Sequence, residues 1–233
     1  MTLQIGLVGP DGFVLASDKR CVSVGANIMT TSFTTEKIYF DHNWSAAWCA
    51  SGHWCTDVIC QALQVELERR GNAIPRGTQA VLLLLRRIVE AHAVEVSRAN
   101  LGNGRILLIQ DDQQGARGYW LDVGWVSADL AWGVTAGREF LDKMHGGDLG
   151  NSAVLFADAY YNPTCTVDRL ARLAAHVILM GAKLNPSWVE GLEIVIGERG
   201  DLRRCAPSEI EQFVEFSKTL DFLISRQLRG SLV

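Results

Sequence analysis

The stretch Thr2-Leu3-Gln4-Ile5-Gly6-Leu7-Val8-Gly9-Pro10-Asp11-Gly12-Phe13-Val14-Leu15-Ala16-Ser17-Asp18-Lys19-Arg20 decides how the rest of the chain is read. Two short apolar runs, Leu3–Val8 and Phe13–Ala16, flank Gly9-Pro10-Asp11-Gly12, a turn of hairpin type. Thr2 stands before the first run and follows Met1. Threonine is small, so Met1 is expected to be trimmed, which would leave Thr2 with a free α-amino group. A threonine hydroxyl is a weak nucleophile and needs a base. The α-amine of the same residue, with a pKa near ~7.7–8.0, titrates in the right range, so one residue can serve as both. Many chains begin Met-Thr without any such use, and the flanking residues must decide.

Outward from this segment, strand groups alternate with helix groups. The polar stretch Lys19–Thr35, with Gly25 and Asn27, reads as a loop, and Lys37–Phe40 and Trp44–Ala50 read as a second strand pair around Asp41-His42-Asn43. Helical periodicity follows over His53–Arg70, closed by Gly71-Asn72. Arg76–Ala99 is a second helix, and its Leu82–Leu85 run leaves so little polar face that burial between layers is expected. Strands are expected at Arg105–Gln110, Gly118–Asp122 and Ala128–Gly133, and helices at Arg138–Met144, Ala153–Tyr160 and Val167–Met180. A strand at Glu193–Gly197, a turn at Glu198–Asp201 and a helix over Ser208–Ser225 complete the expected order. Strands and helices come in blocks, which predicts an α+β fold of mostly antiparallel layers and not a doubly wound parallel sheet. No linker or low-complexity segment divides residues 1–233, so a single domain is expected.

Composition removes several classes. A chain of 233 residues with 48% hydrophobic content can bury one large core. The formal charge of -4 and the scattered Lys and Arg exclude nucleic acid as an expected partner. The longest apolar run, Ala80–Leu85, is too short to span a bilayer, and no secretory pattern opens the chain, so no membrane association is expected. Cysteines 21, 49, 55, 60, 165 and 205 form no CxxC pair and read as free thiols of a reducing, cytoplasmic setting. No HExxH, Cys/His quartet or phosphate-binding loop is present.

The quoted opening resembles that of proteasome β subunits and HslV: a catalytic threonine, a strand with glycine, an Asp-Gly turn, an apolar strand, then an acidic residue with Lys-Arg. The resemblance places Thr2 on the family's nucleophile and Asp18 on the carboxylate that orients a lysine. Lys37, opening Lys37-Ile38-Tyr39-Phe40, matches that lysine, with an interval from Asp18 three residues longer than usual, so Ser23–Thr35 must bulge. A lysine beside the terminal amine should lower the amine's pKa, and Asp18 should keep the lysine charged. Cys49-Ala50-Ser51-Gly52 matches the turn that supplies the oxyanion-hole N–H, which falls to Ser51. Cys21, Cys49 and His53 resemble the positions lining the specificity pocket, and Ser23 the residue that pairs with substrate backbone. His53 reads equally as an ordinary helix N-terminal residue. The family's Gly-Ser-Gly turn is replaced by Trp132-Gly133-Val134-Thr135-Ala136-Gly137, where Thr135 is the only hydroxyl. His176 falls near the family's later aspartate, though a packed helix histidine is the simpler reading. HslV-like members hold a monovalent cation such as Na+ on backbone carbonyls, spaced here as Ala175, Ile178 and Gly181.

The resemblance implies an Ntn-hydrolase αββα four-layer sandwich. It also implies a homo-oligomeric double ring of six- or seven-fold symmetry, acting as a threonine endopeptidase on peptides or unfolded proteins, with an ATP-dependent unfoldase as a further partner. One chain type with Thr, Asp and Lys together is similar to bacterial self-assembling members: HslV, the Anbu group and the betaproteobacterial homologues. The long part beyond Gly197 leans toward the last. Two other readings stay open: an Ntn-type amidase of small molecules, and a non-catalytic ring scaffold of the same fold.

Overall fold

A computed structural model of the chain describes residues 2–24, 30–71, 73, 75–96, 98–112, 115–126, 131–147 and 152–228. Within them lie twelve strands, five α-helices and a short 3-10 turn. The opening hairpin is β1 (Leu3–Gly9) and β2 (Gly12–Ser17), followed by β3 (Arg20–Val24), β4 (Thr30–Thr34), β5 (Ile38–Asp41) and β6 (Ala46–Gly52). Helices α1 (Trp54–Arg70) and α2 (Thr78–Glu95) come next, then β7 (Gly104–Asp112), β8 (Gly115–Val126), β9 (Ala131–Phe140) and β10 (Lys143–Gly147). Helices α3 (Val154–Tyr160) and α4 (Val167–Leu184), strands β11 (Glu193–Glu198) and β12 (Asp201–Arg204), and helix α5 (Pro207–Leu228) close the order.

The strands form three antiparallel sheets: a five-stranded sheet β10-β1-β2-β11-β12, a five-stranded sheet β5-β6-β7-β8-β9, and the separate pair β3-β4. Alternation of side chains along the strands explains how they pack. Leu3, Ile5, Leu7, Val14, Ala16, Ile194 and Ile196 share one apolar cluster with residues of α3, α4 and α5. Their neighbours Val8, Phe13, Leu15 and Val195 instead join Ala47, Cys49, Leu107, Ile109 and Trp120 of the other large sheet. That second sheet sends Trp44, Trp48, Ile106, Leu108, Tyr119 and Leu121 into a third cluster with α1 and α2. Alanines 171, 174 and 175 on α4 carry no bulk, which lets this helix lie close on β1 and β2. Among the described residues, no helix is long and apolar enough to cross a membrane.

Two expectations are corrected. Residues 138–144 are not helical: Arg138, Glu139 and Phe140 continue β9 against β8, and Lys143 opens β10 against β1. The apolar spacing there fits either period, and strand partners supply the backbone bonds. The stretch 19–35 is not loop throughout, because β3 and β4 pair from Arg20↔Thr34 to Val24↔Thr30. Its Val, Thr and Ser content suits strands; Gly25 and Asn27 lie outside the described residues. The chain reverses between Glu198 and Asp201 as expected, and the strand that leaves the turn, β12, is an addition to the expected order.

Candidate active site

The β1–β2 register puts Gln4 opposite Ser17, and one step further the Asp18 N–H donates to Leu3 O at 3.0 Å. The Asp18 carboxylate returns the contact by accepting the Leu3 N–H at 2.9 Å and also accepts the Arg20 N–H at 3.0 Å. Asp18 is 0% exposed. Thr2 is thereby held just beyond the last rung of the hairpin.

Lys37 comes from the mouth of the other large sheet. Its ammonium donates to both Asp18 oxygens, at 3.1 and 3.0 Å, to Arg20 O, and to Thr2 Oγ1 at 3.0 Å. The lysine is 5% exposed. Burying an ion pair costs desolvation, and only full hydrogen bonding offsets it. Here every Asp18 oxygen is used, and the ammonium has partners on all sides. Burial pushes the Asp18 carboxyl above its ordinary range, while the Lys37 charge and the Leu3 and Arg20 N–H groups pull it back. The Thr2 hydroxyl oxygen thus faces a buried positive charge, which favours any negative charge developing on it.

Two cavities meet at Thr2. The larger, about 570 Å³, is lined by Thr2, Cys21, Lys37, Ser51 and His53, among others. The smaller, about 280 Å³, is lined by Thr2, Ser51, Gly52, Arg105, Asp122 and Gly147. Ser51 therefore borders both. It ends β6, where Gly52 at φ 100° lies so close to Asn103 and Gly104 that a Cβ would sit 2.6 Å from Asn103 O. His53 is the N-cap of α1, its Nδ1 accepting the Cys55 N–H at 3.3 Å. Phe33 of β4 and Trp54, Thr56 and Asp57 of the first turn of α1 also line the larger cavity. Sequence reasoning missed these four; the first-turn position after His53 was the signal for the last three.

Other expected residues lie elsewhere. Cys49 does not line a cavity at Thr2: β6 turns it into the cluster between the large sheets, where burial pushes its thiol far up. Thr135 does not join the cluster. It is exposed on β9, and its hydroxyl donates to Asp122 O at 3.2 Å. Gly147 stands beside Thr2 instead, at φ 94°, where a Cβ would lie 1.6 Å from Thr2 O; the Gly146-Gly147 pair was the sequence signal. Ser23 pairs with Thr31 in β3–β4, while its side chain and Met1 lie outside the described residues. Ala175, Ile178 and Gly181 are internal to α4, which runs on to Leu184. Gly181 O accepts the Asn185 N–H at 2.9 Å, so the helix itself uses these carbonyls and does not open them toward a cation. His176, on the same helix, meets Ser217 of α5 at 2.9 Å.

Glu193, the first residue of β11, was also missed. It is 4% exposed and bonds the backbone of Lys37. At the head of an apolar strand it gave no signal beyond being a lone carboxylate.

A threonine, an aspartate and a lysine thus converge on an α/β framework of proteasome-like fold, and that fold is the class the structural comparison shows. The solved structure in question is Anbu (ancestral beta-subunit) from Yersinia bercovieri: TM-score 0.73, 14% identity, covering 99% of this chain and 97% of that one. No family model matches the chain, and no curated protein matches it in sequence. The assignment to the proteasome β-subunit and HslV family, with its lean to the betaproteobacterial group, is therefore corrected. What stands is a likeness in fold to Anbu, with no family or subgroup assigned.

Proposed function

We propose that the chain is a threonine-type peptidase subunit in which Thr2, exposed as the first residue, is the nucleophile. The observation that carries this is the Lys37 ammonium, 3.0 Å from Thr2 Oγ1 and bonded to buried Asp18. Thr2 Oγ would attack the scissile carbonyl carbon while the Thr2 amine takes the hydroxyl proton. The N–H of Ser51, a residue that lines both cavities, would steady the oxyanion. The amine would then give its proton to the leaving nitrogen as the C–N bond breaks. Water would attack the acyl ester, returning the hydroxyl to Thr2 and releasing the new carboxylate. The Lys37 ammonium, 3.0 Å from Thr2 Oγ1, would lower both the amine's proton affinity and the energy of the alkoxide.

The three apolar clusters support an αββα four-layer arrangement within one domain. Exposed Leu155 and Tyr160 on α3, Leu184 on α4 and Phe222 on α5 support assembly with further copies, which we take to be a homo-oligomeric ring enclosing the sites. Enclosure would restrict substrates to peptides or unfolded chains. Light scattering on a sizing column tests the ring: a monomer would remove it.

Treatment with a peptide epoxyketone followed by intact-mass analysis tests the chemistry, since that warhead needs the hydroxyl and free amine of one residue. An adduct on a chain beginning at Thr2 is expected. A chain lacking Met1 but without adduct would favour an amidase of small molecules, and a chain retaining Met1 would favour a non-catalytic scaffold.

A further inference from the structure

Thr2 and Asp18 hang from one large sheet and Lys37 from the other, so the site depends on something that fixes the two in register. The β5–β6 ladder does not reach Lys37, because its first rung is Ile38↔Cys49. Glu193 supplies the link. Its Oε2 accepts the N–H of Lys37 at 2.7 Å and that of Ile38 at 3.3 Å. Its Oε1 is held by the Arg204 guanidinium, which also donates to Ile38 O at 2.8 Å and pairs with Glu36. Glu193 lies opposite Ser17 in the β11–β2 ladder, one residue from Asp18. The carboxylate that grips the Lys37 backbone thus grows from the strand beside the one that carries Lys37's counter-charge. A buried carboxylate that binds two backbone N–H groups in another sheet is a costly device for stability alone.

Resting on the reading of Thr2 as nucleophile, we propose that Glu193 is a positioning residue for Lys37, with Arg204 as its brace. Together they set where the ammonium meets Thr2 Oγ1. Displacements of about 1 Å cost on the order of 10²-fold in rate.

Glu193→Gln tests this. With its NH₂ toward the two backbone N–H groups the amide loses the bonds that hold Lys37, and with its NH₂ toward Arg204 it loses the brace on those bonds, so in either orientation the seat of Lys37 is loosened in a side chain of nearly equal size. The rate of epoxyketone adduct formation is measured on folded protein well below its melting temperature, against wild type. A loss of about 10²-fold is expected, with inhibitor affinity before reaction nearly unchanged. The acid limb of the rate profile should also move to higher pH, because a displaced ammonium depresses the Thr2 amine less. A purely structural Glu193 would lower the melting temperature and leave both rate and acid limb in place, which overturns the proposal. Should the glutamine variant fail to fold, Arg204→Lys carries the test: it keeps the charge but loses one donor arm, and a smaller loss with the same direction of pH shift is expected. A wild type that forms no adduct removes the Thr2 reading and this proposal with it; a reactive wild type with unchanged variants removes this proposal alone.

Discussion

Two cavities of nearly equal size sit at opposite ends of the β1–β2 hairpin. One, about 560 Å³, is bordered by the hairpin turns: Asp11 and Gly12, Asp111 and Gly115, Arg199 and Gly200. The other, about 570 Å³, opens on Thr2. Volume does not tell them apart; the state of their charges does. At the turn end, Arg199 is exposed and Asp11 and Asp111 are only partly covered. Asp111 accepts the Gly200 N–H at 3.2 Å and Asp11 the Val167 N–H at 3.0 Å, and among the described residues neither carboxylate has a cationic partner. At the Thr2 end, Asp18 and Lys37 have left water almost completely, and the lysine that Asp18 holds donates to one hydroxyl, that of Thr2. Turns project because hairpins must reverse, and a hollow between them follows from geometry. Buried, paired charge aimed at a hydroxyl does not follow from geometry, and it marks the end where chemistry is to be sought.

The contrast breaks first at Thr2. Thr2→Ala should cut peptide cleavage and epoxyketone labelling by at least about 10³-fold while costing no more than about 1 kcal/mol of stability, since the Lys37 ammonium loses one acceptor but keeps Asp18 and Arg20 O. Retained labelling would place the reactive group elsewhere. Lys37→Met comes next. It should abolish labelling and also destabilise the fold by about 3–5 kcal/mol, because Asp18 is left buried without its counter-charge. The pH dependence has a definite sign. Burial already raises Asp18, and removing Lys37 takes away the strongest opposing influence. A carboxyl whose folded pKa is raised contributes stability below its unfolded value, near ~3.9, and loses it as pH rises through the folded value. The variant should therefore lie closest to wild type in acid and fall behind toward neutrality. Urea midpoints across that range check this, and a constant gap would count against a buried, uncompensated Asp18.

These outcomes bear on residues that could be read in the sequence, and the reason is local. Thr2 and Asp18 flank one hairpin, whose turn and apolar runs are written within nineteen residues of chain. Lys37 was picked out by the resemblance of Lys37-Ile38-Tyr39-Phe40 to the family's strand start, since its position alone would have read as a surface lysine. What could not be read was decided by distant partners. Residues 138–144 have spacing that fits a helix, and only pairing with β8 and β1 makes them strands. Cys49 was placed in the pocket by resemblance. In β6 its neighbour Ala50 borders the cavity at Thr2, and alternation turns Cys49 to the opposite face, into the core. Glu193 looks like any strand-end carboxylate until β11 settles beside β2.

The turn end sharpens the comparison from the other side. Gly12→Ala should destabilise the protein by about 1–3 kcal/mol, since its Cβ would lie 2.0 Å from Gly197 O across the ladder. Folded molecules should still label at the wild-type rate, because no residue of the Thr2 cluster touches this turn. A labelling rate that fell with stability held constant would mean the two ends are coupled, and the contrast drawn above would fail.

The smallest effect belongs to a third buried polar pair, His176 and Ser217 between α4 and α5. Unlike Asp18 and Lys37, it carries no obligatory charge. Burial holds the imidazole below its ordinary pKa; Asp221 opposes this and Lys183 adds to it. Among the described residues Nε2 has no partner, and the Phe156 ring stands edge-on at 5.0 Å. A histidine with a lowered folded pKa binds fewer protons native than unfolded, so stability should fall as pH drops below about 6.5, by no more than about 1.4 kcal/mol per pH unit. His176→Asn, which can keep a bond to Ser217 but does not titrate there, should flatten that slope while labelling at Thr2 stays unchanged. Melting curves of both proteins from neutral to mildly acid pH would show it, and parallel curves would mean that this histidine charges freely. In that case burial alone would not separate the neutral pair from the charged one, and the weight of the argument would rest on the bonds that converge at Thr2.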